Sequence, residues 1–173
     1  MTANTSTVLN RVDIAAVGGL VEAIRSNPDK AQTTWAAHVR WNGAFASEAK
    51  IRKFAPIPSD EPVTLGGGDS APNPVEQLLG SLGNCLAVGY AANATVAGIE
   101  LEDLQIDLKG DIDLHVFLGL AEGHAGFESI TANVTIASDA SPEQLAQLHA
   151  KVLASSPVGH TLRSAVPVEI TLA

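Results

Sequence analysis

The sequence predicts an α+β fold in which a mostly antiparallel sheet lies against helices. The segments follow one another as α, ββ, α, ββ, α, β, which is not the regular alternation of a parallel βαβ protein. A chain of 173 residues with 46% hydrophobic content also supports one substantial core rather than two. The expectation is a single domain over 1–173, with an N-terminal extension and helix over about 1–30 and a core over about 33–173.

Residues 1–9 are polar and read as loose. Ile14, Val17, Leu20, Val21 and Ile24 keep a helical period after a candidate Asn10 cap, and Asn27-Pro28 stops it. Thr33 to Phe54 carries Trp35, Val39, Trp41, Phe45, Ile51 and Phe54, with Asn42-Gly43 between two β-like halves, the pattern of a hairpin. Pro56, Pro58, Pro62 and Gly66-Gly67-Gly68-Asp69 predict a flexible loop. Leu104 to Val116 alternates in one phase through Gly110, which predicts a long strand with a bend or bulge there. After a Gly/His loop at 119–126, Ile130, Ala132, Val134 and Ile136 give its antiparallel neighbour. Ser141-Pro142-Glu143-Gln144 is a capping box that starts a helix burying Leu145, Leu148 and Val152. Ser156-Pro157-Val158 ends that helix. Val166, Val168, Ile170 and Leu172 then alternate as a last strand, with Pro167 suggesting an edge position.

The rest is organised around PNPVEQLLGSLGNCLAVGYAANATVAGI, from Pro72 to Ile99. Asn73 is a good N-cap, Pro74 suits the first helical position, Glu76 can reach back to the cap, and Gly98 suits the C-terminal end. Leu78, Leu82, Cys85, Gly89, Ala92 and Val96 form one stripe at helical spacing, which turns the thiol toward packing. Gly80, Asn84, Ala87, Ala91 and Ala94 form a second stripe of small groups that reads as a helix-helix contact.

A formal net charge of −9 repels phosphate backbones and anionic lipid, so neither a nucleic-acid nor a membrane partner is expected. No run reaches the length of a membrane span, and the start MTANTSTVLNRVD lacks a basic segment followed by an apolar one. A soluble, cytoplasmic protein is the expectation. One cysteine excludes an intrachain disulfide and a CxxC metal site, and the five histidines lack HxxxH or HExxH spacing, so no metal is expected. The Gly66 to Gly68 run fits neither a P-loop nor a dinucleotide fingerprint, so no nucleotide cofactor is implied.

Chemistry returns to Cys85. It is either an inert core thiol or a nucleophile, and the second role requires a thiolate. It lies about three turns from Asn73, beyond the reach of the helix dipole, so a cation or hydrogen-bond donor must come from elsewhere. Glu76 is a capping carboxylate, or also orients an arginine near the thiol. Arg40, Arg52 and Arg163 are the arginines near predicted core elements. His160 is either a surface residue or the partner of a Cys-His pair.

Read together, GGGDSAPNPVEQLLGSLGNCLAVGYAANA and SSPVGHTLRSAVPVEITL make the chain resemble the OsmC/Ohr family of osmotically inducible and organic hydroperoxide resistance proteins, over roughly Trp35 to the C-terminus. The resemblance implies an OsmC-like fold: an intertwined homodimer with sheets wrapped around long central helices. It also implies thiol-dependent reduction of organic hydroperoxides, with Cys85 as the peroxidatic thiol and Leu82 and His160 as substrate contacts. The family's resolving cysteine falls on Ser156 here, and its thiolate-stabilising arginine falls on Ala44-Phe45, so Arg40 or Arg52 would have to substitute from a neighbouring position. The glutamate of the peroxidase members falls on Val75, one residue before Glu76. Two readings follow. One is a peroxidase without a bound cofactor, whose oxidised Cys85 is resolved by an external thiol. The other is a relative without peroxidase chemistry that binds a small hydrophobic molecule at the dimer interface and tolerates loss of Cys85.

Overall fold

The computed structural model describes residues 8–172, so most of the polar start lies outside the described residues. The fold is α+β with antiparallel sheets, as the order of segments predicts. The described residues form two compact units, one of residues 15–78 and one of residues 8–14 with 79–172.

In the first unit, helix α1 (Ile14–Ser26) ends where Asn27 accepts a hydrogen bond from the Asp29 backbone and opens a short 3-10 turn at Pro28. Its apolar residues Val17, Leu20 and Val21 are exposed. Strands β1 (His38–Gly43), β2 (Ala46–Lys50) and β3 (Ile57–Ser59) form an antiparallel sheet with β2 in the middle. The hairpin is present, but the chain turns at Ala44-Phe45 rather than at Asn42-Gly43. Pairing slips between Trp41 and Gly43, and Gly43 takes a φ of 110° at that irregularity, which glycine adopts without strain.

Strand β3 corrects the expectation of an unbroken loop, and Pro58 is tolerated in it because an edge strand has one row of unpaired N–H groups. The glycine run is not a loose loop either. The Asp60 carboxylate accepts hydrogen bonds from the Glu61, Gly68 and Ser70 backbones and from the Ser70 hydroxyl. A Cβ on Gly67 would lie 1.9 Å from the Glu61 carbonyl oxygen, so only glycine permits this close approach.

Helix α2 (Pro74–Ala97) is the predicted central helix, 24 residues and roughly 36 Å long. Asn73 accepts from the Glu76 N–H at 2.9 Å while the Glu76 carboxylate accepts from the Asn73 N–H at 2.8 Å, the reciprocal cap the sequence predicts. At the other end Gly98 takes a φ of 71° and Ile99 N–H returns to the Ala94 carbonyl.

The second unit holds the core. Leu86, Tyr90, Ala94 and Ile99 pack with Leu148 and Val152 of helix α4 (Pro142–Ser155), which starts on the predicted capping box. The buried face of α2, along Leu86, Tyr90 and Ala94, follows neither predicted stripe as a whole: it takes Ala94 from the second, whereas Val96 of the first is exposed and Cys85 only half-buried. The helix is apolar on several sides, so periodicity did not single out the face that α4 covers. Small residues serve close packing there, since a Cβ on Gly89 would lie 3.0 Å from Val152 Cγ1.

Strands β4 (Asp103–Asp111) and β5 (Ser129–Ala137) pair antiparallel without a register slip. Of the bend or bulge predicted at Gly110, the bulge is therefore absent. Glycine stands there because a Cβ would lie 2.6 Å from the Phe127 ring. The predicted strand stops early: Asp113 caps the one-turn helix α3 (Leu114–Phe117), accepting from the His115 N–H and pairing with its ring.

Asn10 does not cap α1. It sits at a φ of 50°, donates to the Ile99 carbonyl and Thr95 Oγ1, and accepts from the Leu101 N–H, so it closes the C-terminal end of α2. Two corrections concern the C-terminus. Ser156-Pro157 opens another helix, α5 (Pro157–Arg163), and residues 165–172 form no strand. A strand exists only when a neighbour takes up its backbone hydrogen bonds. No described strand pairs with this segment, and Val168 and Ile170 are exposed.

Candidate functional site

Cys85 projects from the middle of α2, with Sγ 3.2 Å from Ser156 Oγ. The pair joins residues 71 positions apart, one on the central helix and one at the α4–α5 junction. Ser156 is 4% exposed and is the N-cap of α5, accepting from the Gly159 N–H at 3.1 Å.

Beside this pair opens an apolar cavity of about 360 Å³. Leu82, Leu86, Ile130 and Phe127 form part of its wall, and Ser156 and Arg163 contribute polar groups. Arg163 is held by its backbone contacts, donating from Nε to the Gly159 carbonyl at 3.1 Å and from Nη2 to the Leu153 carbonyl at 2.9 Å. It has no carboxylate partner among the described residues.

The structure thus brings together Cys85 and Ser156, and sets Leu82 in the wall of the cavity beside them. His160 donates from Nε2 to the Ala154 carbonyl at 3.0 Å, tying α5 to the end of α4, and does not line that cavity. Glu76, Arg40 and Arg52 belong to the unit of residues 15–78, where each has local partners. Glu76 caps α2; Arg40 donates to Asn42 at 3.2 Å and stands 3.9 Å from Glu48; the Arg52 guanidinium lies 4.7 Å from the Phe54 ring centroid.

Sequence reasoning missed Phe127 and Leu86 as cavity walls and, although it set Ser156 at the resolving-cysteine position, took Ser156-Pro157 as the end of a helix and not the start of one. A signal was present, because serine followed by proline is also how a helix begins. Away from the cavity, the buried Tyr90 hydroxyl meets His149 Nδ1, and burial pushes the Tyr90 phenol above its ordinary value of 10.0. Among the described residues no three His, Cys, Asp or Glu side chains converge in a way that would hold a metal ion. No described helix is long and apolar enough to cross a membrane.

The family model described as OsmC-like protein matches residues 66–171. Comparison with curated proteins finds no match. Among solved structures, the chain is similar to an OsmC-like protein from Mycoplasma pneumoniae, with 19% identity over 76% of this chain and 89% of that one, at a TM-score of 0.67. It is also similar to an organic hydroperoxide resistance protein OsmC from Legionella pneumophila (18% identity, 76% and 92% covered, TM-score 0.59). An organic hydroperoxide resistance protein from Elizabethkingia anophelis gives 17% identity, 76% and 91% coverage and a TM-score of 0.59.

Proposed function

Because the chain belongs to the OsmC-like protein family, we propose that it reduces organic hydroperoxides through Cys85, using an external thiol as reductant and no bound cofactor. The observation that carries this reading is the half-buried Cys85 thiol in contact with a buried hydroxyl that lines an apolar cavity. A cavity walled by leucine, isoleucine and phenylalanine side chains gains free energy from the organic part of a hydroperoxide, at about 25 cal/mol per Å² of apolar surface buried. Hydrogen peroxide has no such part.

In this mechanism the Cys85 thiolate attacks the terminal peroxide oxygen. An S–O bond forms and the O–O bond breaks. The sulfur is oxidised by two electrons to a sulfenic acid, and the alkoxide leaves as the alcohol after taking a proton. An external thiolate then attacks the sulfenic sulfur: an S–S bond forms, the S–O bond breaks, and hydroxide leaves as water after taking a proton. A second external thiol frees Cys85. Serine at position 156 cannot form an internal disulfide, which is why the reductant must come from outside. Arg163, on the cavity wall, is the candidate cation for the thiolate within the same unit.

A homodimer accompanies this reading. In one chain Trp35, Trp41, Val88 and Val96 are exposed, as are Val168 and Ile170. So much exposed apolar surface supports a second copy as its cover.

The test is to treat the protein with cumene hydroperoxide and follow Cys85 by intact mass with a sulfenic-acid trap, using Cys85→Ser as the blank. Rapid, saturable trapping, much slower with hydrogen peroxide, is expected. Reaction no faster than that of an ordinary buried thiol refutes the peroxidase and leaves a binder of small hydrophobic molecules.

A further inference from the structure

We infer that Ser156 is itself a catalytic residue, a hydrogen-bond donor to the reacting sulfur rather than a mere vacancy where a relative carries cysteine. This rests on the peroxidase reading of Cys85. The direction of the Cys85–Ser156 hydrogen bond follows from counting partners. Ser156 Oγ already accepts from the Gly159 N–H, and its one other partner among the described residues is Cys85 Sγ. The residue is 4% exposed, and among the described residues the sulfur is the partner within reach of its O–H hydrogen. Donation to sulfur pairs the hydroxyl hydrogen, and it becomes charge-assisted when the thiol is ionised.

The donor is also fixed in place. Ser156 lies between α4 and α5, Pro157 constrains the backbone after it, and a Cβ on Gly159 would lie 3.0 Å from Oγ, so glycine lets the capping N–H approach. Ser156 also lines the cavity, so the residue that meets the sulfur borders the space an organic peroxide would fill. It holds the thiolate before attack and remains beside the sulfenic acid afterwards, while the sulfur stays open to an external thiol.

The experiment compares wild type with Ser156→Ala, Ser156→Thr and Ser156→Cys. Cys85 is followed by cumene hydroperoxide oxidation and, separately, by alkylation with iodoacetamide. Losing one hydrogen bond to a charged sulfur predicts about a tenfold slower reaction for Ser156→Ala with both reagents. Ser156→Thr, which keeps the hydroxyl, is expected to recover most of the rate, whereas a purely helix-capping role would leave both rates at wild type. Ser156→Cys sets a second sulfur beside the first. Diamide should then take two hydrogens from the two thiols, close a disulfide between Cys85 and the introduced cysteine, and itself become the hydrazine. Ser156→Ala alkylating at the wild-type rate, or Ser156→Cys closing no disulfide, overturns the assignment. Failure of wild-type Cys85 to react with peroxide while these two results hold removes the peroxidase reading and leaves the hydrogen bond standing.

Discussion

Replacing Asn10 by alanine tests how the start of the described chain is tied to the central helix. Asn10 makes three hydrogen bonds there, to the Ile99 carbonyl at 2.8 Å, to Thr95 Oγ1 at 3.1 Å and from the Leu101 N–H at 2.8 Å. Two of these partners are backbone groups at the end of α2, and Ile99 is buried. At about 1 kcal/mol net for each bond, Asn10→Ala should cost about 3 kcal/mol. For a chain of this length that corresponds to a midpoint lower by about 6 to 12 °C. The φ of 50° adds a control. Asn10→Gly loses the same bonds but adopts this conformation freely, so it should be more stable than Asn10→Ala by about 1 kcal/mol. Thermal and urea unfolding at one fixed protein concentration give both numbers, the concentration being fixed because association shifts apparent stability. Asn10→Ala unfolding within 0.5 kcal/mol of wild type, about the scatter of a neutral surface change, would refute the role given to Asn10.

Two further predictions follow from other parts of the fold. The hydrogen bonds that Asp60 accepts, that of the Ser70 hydroxyl foremost, hold its carboxyl below the usual 3.8. Its folded value is thus lower than its unfolded one, so the stability it contributes is present above about pH 3.8 and is lost as pH falls through the folded value. Amide exchange at Gly68 and Ser70, corrected for intrinsic rates, should show that loss in wild type, whereas Asp60→Asn should be less protected at neutral pH and lack the acid step. For the dimer, sedimentation should find two copies of the full chain and a weakened association for Val168→Lys/Ile170→Lys. A monomeric wild type, or a double variant that associates as tightly, would contradict the proposed pairing.

Local physics made much of this fold legible in the residues. Asn73 and Glu76 cap one helix and Ser141 with Gln144 another, because a cap needs only neighbours a turn away. Alternation set the paired strands Asp103–Asp111 and Ser129–Ala137 for the same reason: each side chain reports its own face. Cys85 as the candidate centre of chemistry was also picked out by the sequence, through its motif.

Contacts between distant segments decided the rest. Which side of α2 is buried depends on where Leu148 and Val152 land, and an all-round apolar helix gives no hint of that. Asn10 closes the far end of α2 rather than its own helix, a partnership across 89 residues. The contact of Cys85 with Ser156 was likewise decided only in three dimensions, because a 3.2 Å approach between positions 71 residues apart is set by packing and leaves no period to read. The C-terminal segment shows the converse. Val166, Val168, Ile170 and Leu172 keep the period of a strand, but backbone pairing requires a neighbour, and no described strand pairs with them.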